Sequence, residues 1–163
     1  MPILKVTEGN YINKDALEQV IHNYVFPRSL ITGGLSIDPI YAASQMHMVK
    51  DVTGQADGRQ LHHFILSFSD FESSKIDSAN DLLYTAYRVC EYFSPEYQIV
   101  FGIHNNGKYH IHFVMNNISF ISGKRYSPNN RDYNSLTFYI FGVCLPVPFK
   151  NRLLIKQLPV LYY

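Results

Sequence analysis

Three histidines and the short turn between them carry the first chemical signal in this sequence: His104, then Asn105-Asn106-Gly107, then His110 and His112. In a strand over 108–117, side chains alternate with period two, so Tyr109, Ile111, Phe113 and Met115 take one face while His110, His112, Val114 and Asn116 take the other. The preceding strand, 97–104, turns Tyr97, Ile99, Phe101 and Ile103 to its apolar side and leaves His104 on the opposite face. Asn and Gly tolerate positive φ, so the turn favours a hairpin that sets His104 beside His110. One histidine on a strand is usually an ordinary half-buried side chain, and two at i and i+2 occur by chance. The third, at the facing end, favours a metal centre: three neutral imidazoles on rigid strands form a set of nitrogen ligands that leaves coordination positions open for water or substrate.

The other histidines divide by parity. His63 lies on a strand whose core face is defined by Phe64, Leu66 and Phe68, so it looks to the side of the three. It is open there to a role behind a ligand, to a phosphate contact or to a structural place. His62 shares the parity of the apolar set and reads as structural, while His22 and His47 fall on predicted helices as solvated residues.

The elements that must position these residues follow from periodicity. A strand is expected over 3–7, then a helix capped by Asn13 that carries Leu17, Val20, Ile21 and Tyr24 and stops at Pro27. Asp38-Pro39 predicts a second helix running towards Gly54, with a turn over 55–58 and a strand over 61–69. Ser74 with Asp77 is expected to open an amphipathic helix through Ile76, Ala79, Leu83, Ala86, Cys90 and Phe93. After the central hairpin come a helix over 131–143 and a strand over 152–162 that Pro159 confines to an edge or a bulge. Strands mixed with helices around a central hairpin give an α+β fold, an antiparallel sheet covered by helices, in a single domain over 1–163.

Composition limits the partners. The 14 Lys+Arg nearly balance the 13 Asp+Glu, for a net charge of +1, so any nucleic-acid affinity must be local rather than a global basic field. The 13 Tyr and 11 Phe, with no Trp, read mainly as packing aromatics, since they fall in periodic apolar segments. Cys90 and Cys144 lack CxxC spacing and adjoin Val89 and Val143, as reduced core thiols do. Residues 1–7 lack a basic stretch followed by an apolar one, and the greasiest run, 137–147, is short and marked by proline. A cytoplasmic protein without membrane insertion is the expectation.

The stretch from His104 to Asn116, with a leading His, a short turn, His-x-His, an apolar run and Asn, resembles the histidine motif of mobilisation relaxases in the HUH endonuclease superfamily. Downstream, Phe120-Ile121-Ser122-Gly123-Lys124-Arg125-Tyr126 is similar to that family's Gly-Lys-basic-Tyr continuation. Upstream, the run from Gly58 to Phe68 resembles its middle motif, and the three occur in the family's order. The resemblance implies an HUH relaxase-like fold and a metal-dependent enzyme that nicks and rejoins single-stranded DNA at a transfer origin through a 5′-phosphotyrosyl intermediate, with accessory mobilisation proteins as partners. It implies His104, His110 and His112 as ligands of Mg²⁺ or Mn²⁺ and Asn116 as a supporting residue. The family's tyrosine, in an N-terminal helix with a proline close behind, matches Asn23-Tyr24-Val25-Phe26-Pro27. Tyr24 is then the catalytic nucleophile, with Tyr11 as the substitute. Tyr24 also falls in phase with Leu17, Val20 and Ile21, so a packing role stands beside the catalytic one. Where many relaxases carry an acidic residue after the leading His, this chain has Asn105-Asn106, which leaves the proton acceptor unassigned.

Rival functions share parts of this pattern. A replication-initiation or transposition nuclease of the same superfamily would use the same tyrosine and metal. A non-catalytic relative would bind single-stranded DNA with Lys108, Lys124 and Arg125 on phosphates and tyrosines under bases. A metal domain for a small molecule would need a closed apolar pocket instead of an open groove.

Overall fold

The hairpin predicted around the three histidines forms the centre of the sheet in the computed structural model, which describes residues 2–93 and 96–144. Its arms, β4 (Ile99–Asn105) and β5 (Tyr109–Asn116), pair antiparallel with His104 opposite His110, and Gly107 supplies the turn at φ 90°. β3 (Leu61–Ser67) flanks β5, β1 (Ile3–Val6) flanks β3, and β2 (Ile31–Leu35) flanks β4. The order is β1-β3-β5-β4-β2 with every neighbouring pair antiparallel. The strand expected over 152–162 lies outside the described residues.

β2 was not expected from its sequence, Ile-Thr-Gly-Gly-Leu, because two glycines weaken a strand signal. Packing supplies the reason for one of them: a Cβ on Gly33 would come within 2.4 Å of the Phe101 ring.

Helices cover both sheet faces. On one, Phe64, Leu66, Phe101, Ile103, Ile111 and Phe113 pack against α4 (Leu83–Phe93) and α5 (Asn130–Cys144). On the other, Leu61, Val100 and Val114 meet α1 (Ala16–Val20) and α2 (Ala42–Val52), which bring Leu17, Val20 and Met46 into a smaller core. α2 begins as expected: the Asp38 carboxylate accepts from Ile40 N at 2.9 Å, and Pro39 opens a 3-10 turn over Pro39–Tyr41.

Two helix starts differ from expectation. Asn13 contributes its carbonyl, not a side-chain cap, to the start of α1, and Asp15 holds the cap position. The helix expected to open at Ser74 starts later: Ser74 ends a short α3 (Asp70–Ser73), and a 3-10 turn (Ala79–Leu82) leads into α4, with a capping carboxylate at the start of each of the first two. Glu72 accepts from Ser69 N and Asp81 from Ser78 N, each at 2.9 Å. The predicted apolar face is nonetheless buried, from Ile76 and Ala79 to Cys90 and Phe93.

Candidate functional site

On the α1/α2 side of the sheet, the strands carry apolar residues at one end and imidazoles at the other. Register rows show the change: Val100 and Val114 pair across β4 and β5, then Gly102 with His112, then His104 with His110. The apolar rows are packed under α1 and α2, while in the histidine rows His110 and His112 keep partial exposure and His104 is buried.

His104, His110 and His112 form a nearly equilateral triangle, with ring centres 5.3, 5.2 and 5.2 Å apart. No group of three His, Cys, Asp or Glu side chains among the described residues already has its donor atoms gathered as a metal cage. The donor chemistry still suits a cation. His104 Nε2 is buried without a hydrogen bond, although the Val25 and Tyr24 backbone lies close enough to favour a proton on this ring. His110 Nδ1 lies 3.0 Å from the Lys108 carbonyl, an acceptor only, so Nδ1 carries the proton and Nε2 keeps its lone pair.

Burial holds His112, His63 and His104 in the neutral form. Burial, followed by the neighbouring rings of His63, His110 and His104, pulls His112 down to about 3. Burial alone takes His63 to about 4. Burial and then His110 hold His104 below the usual imidazole range, against the opposing pull of the Val25 and Tyr24 backbone. A neutral imidazole is the form that binds a metal.

His63 joins the group: its Nε2 is 2.9 Å from His112 Nδ1, a diagonal contact between β3 and β5. His62, on the other face, contacts Asn117 Oδ1 at 2.7 Å in the structural place its parity indicated.

Tyr24 reaches the same end of the sheet by an irregular route. α1 continues into a π-helical turn over Ile21–Val25, closed by Phe26 N donating to the Ile21 carbonyl at 3.1 Å. The wider i→i+5 turn shifts the phase, so Val25 takes the buried place that α-helical spacing gives Tyr24. Tyr24 is 51% exposed, with its ring centre 5.4 Å from His63 and 6.0 Å from His112. The packing alternative for Tyr24 therefore does not hold. Gly102 permits this approach, since a Cβ there would lie 2.2 Å from the Val25 carbonyl oxygen. Beside Tyr24 opens a cleft of about 420 Å³, lined by Asn10, Tyr11, Asn13, Gln19 and Asn23 among others.

The remaining predicted residues lie elsewhere. Asn116 is fully buried near the far end of β5, where its amide nitrogen donates to Met46 O and Gln98 Oε1 and its oxygen accepts from Lys50 Nζ. Arg125 sits by that end too, bonded to Gln55 and to the Asp57 carbonyl, with exposed Lys124 beside it. Lys108 pairs with Asp70 at 3.0 Å by the hairpin turn. Sequence reasoning missed Gly102, Thr7 and the contacts of Tyr11; the single signal for Gly102 was a glycine inside a strand.

Comparison with known proteins places this sequence in a family. Residues 26–144 match the model described as "Relaxase: MobA/VirD2-like, nuclease domain", a stretch that begins two residues after Tyr24. Two curated relatives from Staphylococcus aureus, both named Protein rlx, are 30% and 28% identical over 110 residues. Each match covers 67% of this chain but 34% and 32% of the relative, so the chain spans about a third of their length. A solved structure described as "Molecular Basis of Vancomycin Resistance Transfer in Staphylococcus aureus" is similar in fold, with TM-score 0.59 and 11% identity over 88% of this chain and 90% of that one. With the family model covering most of the chain and the sheet carrying the expected histidine hairpin, this chain belongs to the MobA/VirD2-like relaxase nuclease-domain family.

Proposed function

We propose that this domain nicks and rejoins single-stranded DNA at a transfer origin, with Tyr24 as nucleophile and a divalent cation, Mg²⁺ or Mn²⁺, held by His104, His110 and His112. The observation that carries this proposal is an exposed phenol, Tyr24, 6.0 Å by ring centres from one histidine of a three-imidazole triangle. When bound, the cation supplies the positive charge that neutralises the phosphodiester oxygens and makes phosphorus open to attack. Tyr24 contributes the attacking oxygen: a bond forms from its phenol to phosphorus, the bond to the 3′ oxygen breaks, and the phenol proton ends on the departing 3′-hydroxyl. The 5′ end is thereby esterified to the protein, and attack by a 3′-hydroxyl reverses the step and reseals the strand. The cleft beside Tyr24 supports single-stranded DNA as substrate, since its amides and phenols suit an unstacked base. Lys108, Lys124 and Arg125 serve the phosphate backbone, with His63 behind His112 and Asn116 supporting the sheet beneath α2.

The test is chemical. Wild-type protein and Tyr24→Phe are incubated with Mn²⁺ and pools of single-stranded oligonucleotides labelled at the 3′ end, then run on denaturing gels. Wild type should give a covalent protein–DNA adduct. The exposed Phe should give none, with far-UV circular dichroism and Mn²⁺ binding unchanged. An adduct formed by the Phe variant, or mapped to another residue, moves the nucleophile away from Tyr24.

A further inference from the structure

We propose that Thr7, Tyr11 and His63 form a one-directional hydrogen-bond relay that fixes the tautomer of His112, so that its Nε2 lone pair is presented to the histidine triangle. Tyr11 is then a positioning residue, not a nucleophile.

The direction follows from counting one proton per group. Thr7 Oγ1 donates to the His63 carbonyl at 3.1 Å, which uses its only hydrogen. Tyr11 Oη lies 2.8 Å from Thr7 Oγ1 and must be the donor there. With that hydrogen committed, the 3.3 Å contact between Tyr11 Oη and His63 Nδ1 requires Nδ1–H to donate to the phenol oxygen. A neutral His63 protonated on Nδ1 has a bare Nε2, so it accepts from His112 Nδ1–H across 2.9 Å. His112, also neutral, keeps the lone pair on Nε2, the same tautomer that the Lys108 carbonyl imposes on His110. Two of the three imidazoles are thus oriented alike by unrelated acceptors.

Tyr11 is built into this place. Its backbone takes φ 43°, in the left-handed region that a tyrosine rarely adopts. Its ring lies against Gly9, where a Cβ would come 2.3 Å from Cζ. Its carbonyl accepts from Gln60 N at 2.8 Å, and the Arg59 guanidinium lies 5.7 Å from the ring centre. Contacts on both backbone and ring hold the phenol oxygen on His63, and that same oxygen is committed at both its donor and its acceptor side.

The purpose assigned to the relay rests on the histidine triangle being a cation site, whereas the relay itself is read in metal-free protein. ¹⁵N imidazole spectra of the wild-type chain should give Nδ1–H tautomers for both His63 and His112. Tyr11→Phe keeps the ring on Gly9 and removes the acceptor, so His63 and His112 should each become mixtures of tautomers. Mn²⁺ affinity, measured by electron paramagnetic resonance without DNA, should fall roughly 10-fold, the low end for a group behind a metal ligand. Thr7→Val, which removes one hydroxyl and little volume, should act in the same direction and more weakly, and it serves if the Phe variant does not fold. His112 protonated on Nε2 in wild type, or unchanged tautomers in both variants, overturns the relay. So does loss of the DNA adduct in Tyr11→Phe with unchanged tautomers and Mn²⁺ affinity, because Tyr11 would then be the nucleophile. Correct tautomers without Mn²⁺ binding in wild type would uphold the relay and defeat the metal centre.

Discussion

At the scale of single residues, Lys50 is the side chain whose surroundings oppose its charge. It is 1% exposed on α2, and its ammonium donates to the neutral Asn116 amide oxygen. Burial, and then the Arg125 guanidinium, bring its pKa from the usual 10.5 down to about 8. The unfolded chain therefore holds the extra proton between those values, so stability rises with pH across that window. Below pH 8 the buried charge costs about 3 kcal/mol. Lys50→Met keeps the stem and removes the charge, with about 1 kcal/mol lost from the bond to Asn116. A net gain of about 2 kcal/mol is expected at pH 7, shrinking towards zero or below by pH 10. Urea unfolding at both pH values checks this, and equal gains at the two would mean that charge is not the cause.

At the scale of elements, the π-helical turn and strand β4 depend on one missing methyl group. Gly102 sits in the row of His112, one row from His104, beneath the Val25 carbonyl. Because the clash in Gly102→Ala would be with backbone, no side-chain rotation relieves it; the turn carrying Tyr24 must lift or the strand must sink. A loss of about 1–3 kcal/mol in stability is expected, typical of overpacking. Covalent adduct formation should fall far more than the folded fraction does. Unfolding curves and the adduct assay on one preparation separate these effects. An adduct yield that tracks the folded fraction would show that the turn can shift without moving the phenol away from the imidazoles.

For the whole molecule, neutral histidines on both sheet faces predict how it fails in acid. Burial, with Arg59 as the next cause, lowers His62 to about 4, and burial takes His63 to the same range. His112 lies at about 3. Free imidazoles take up protons near pH 6.5, so the unfolded chain binds more protons than the fold does below that point. The stability tied to these neutral rings is complete above about pH 6.5 and is lost as pH falls towards 4. Between pH 7 and 5 the loss is about 2 kcal/mol for each of His62 and His63. Urea midpoints at pH 7, 6 and 5 test this, and His62→Gln should remove part of the slope. A flat profile would mean that these rings are as solvated in the fold as in the unfolded chain.

The sequence by itself determined what depends on neighbours along the chain. Side-chain direction in a strand is set by covalent geometry, so alternation around Asn105-Asn106-Gly107 was enough to bring His104, His110 and His112 to one face and to send His62 to the other. Helical spacing likewise gave the buried face of α4, and Asp38-Pro39 the start of α2. Tertiary structure decided the rest. Gly33 and Gly34 became strand because Ile99, Val100 and Phe101 offered an edge to pair with. Asn116, in phase with the histidines, went to Lys50 and α2 because β5 runs on from the histidine rows, past Val114, to the end that α2 covers. Tyr24 turned outward because the turn beneath it widened against Gly102. Thr7, Tyr11 and His63 meet only after β1 pairs with β3, and the direction of their protons is fixed by acceptors more than 40 residues apart in sequence. Local pattern specifies which way a side chain points; what it then meets depends on contacts that no periodicity encodes.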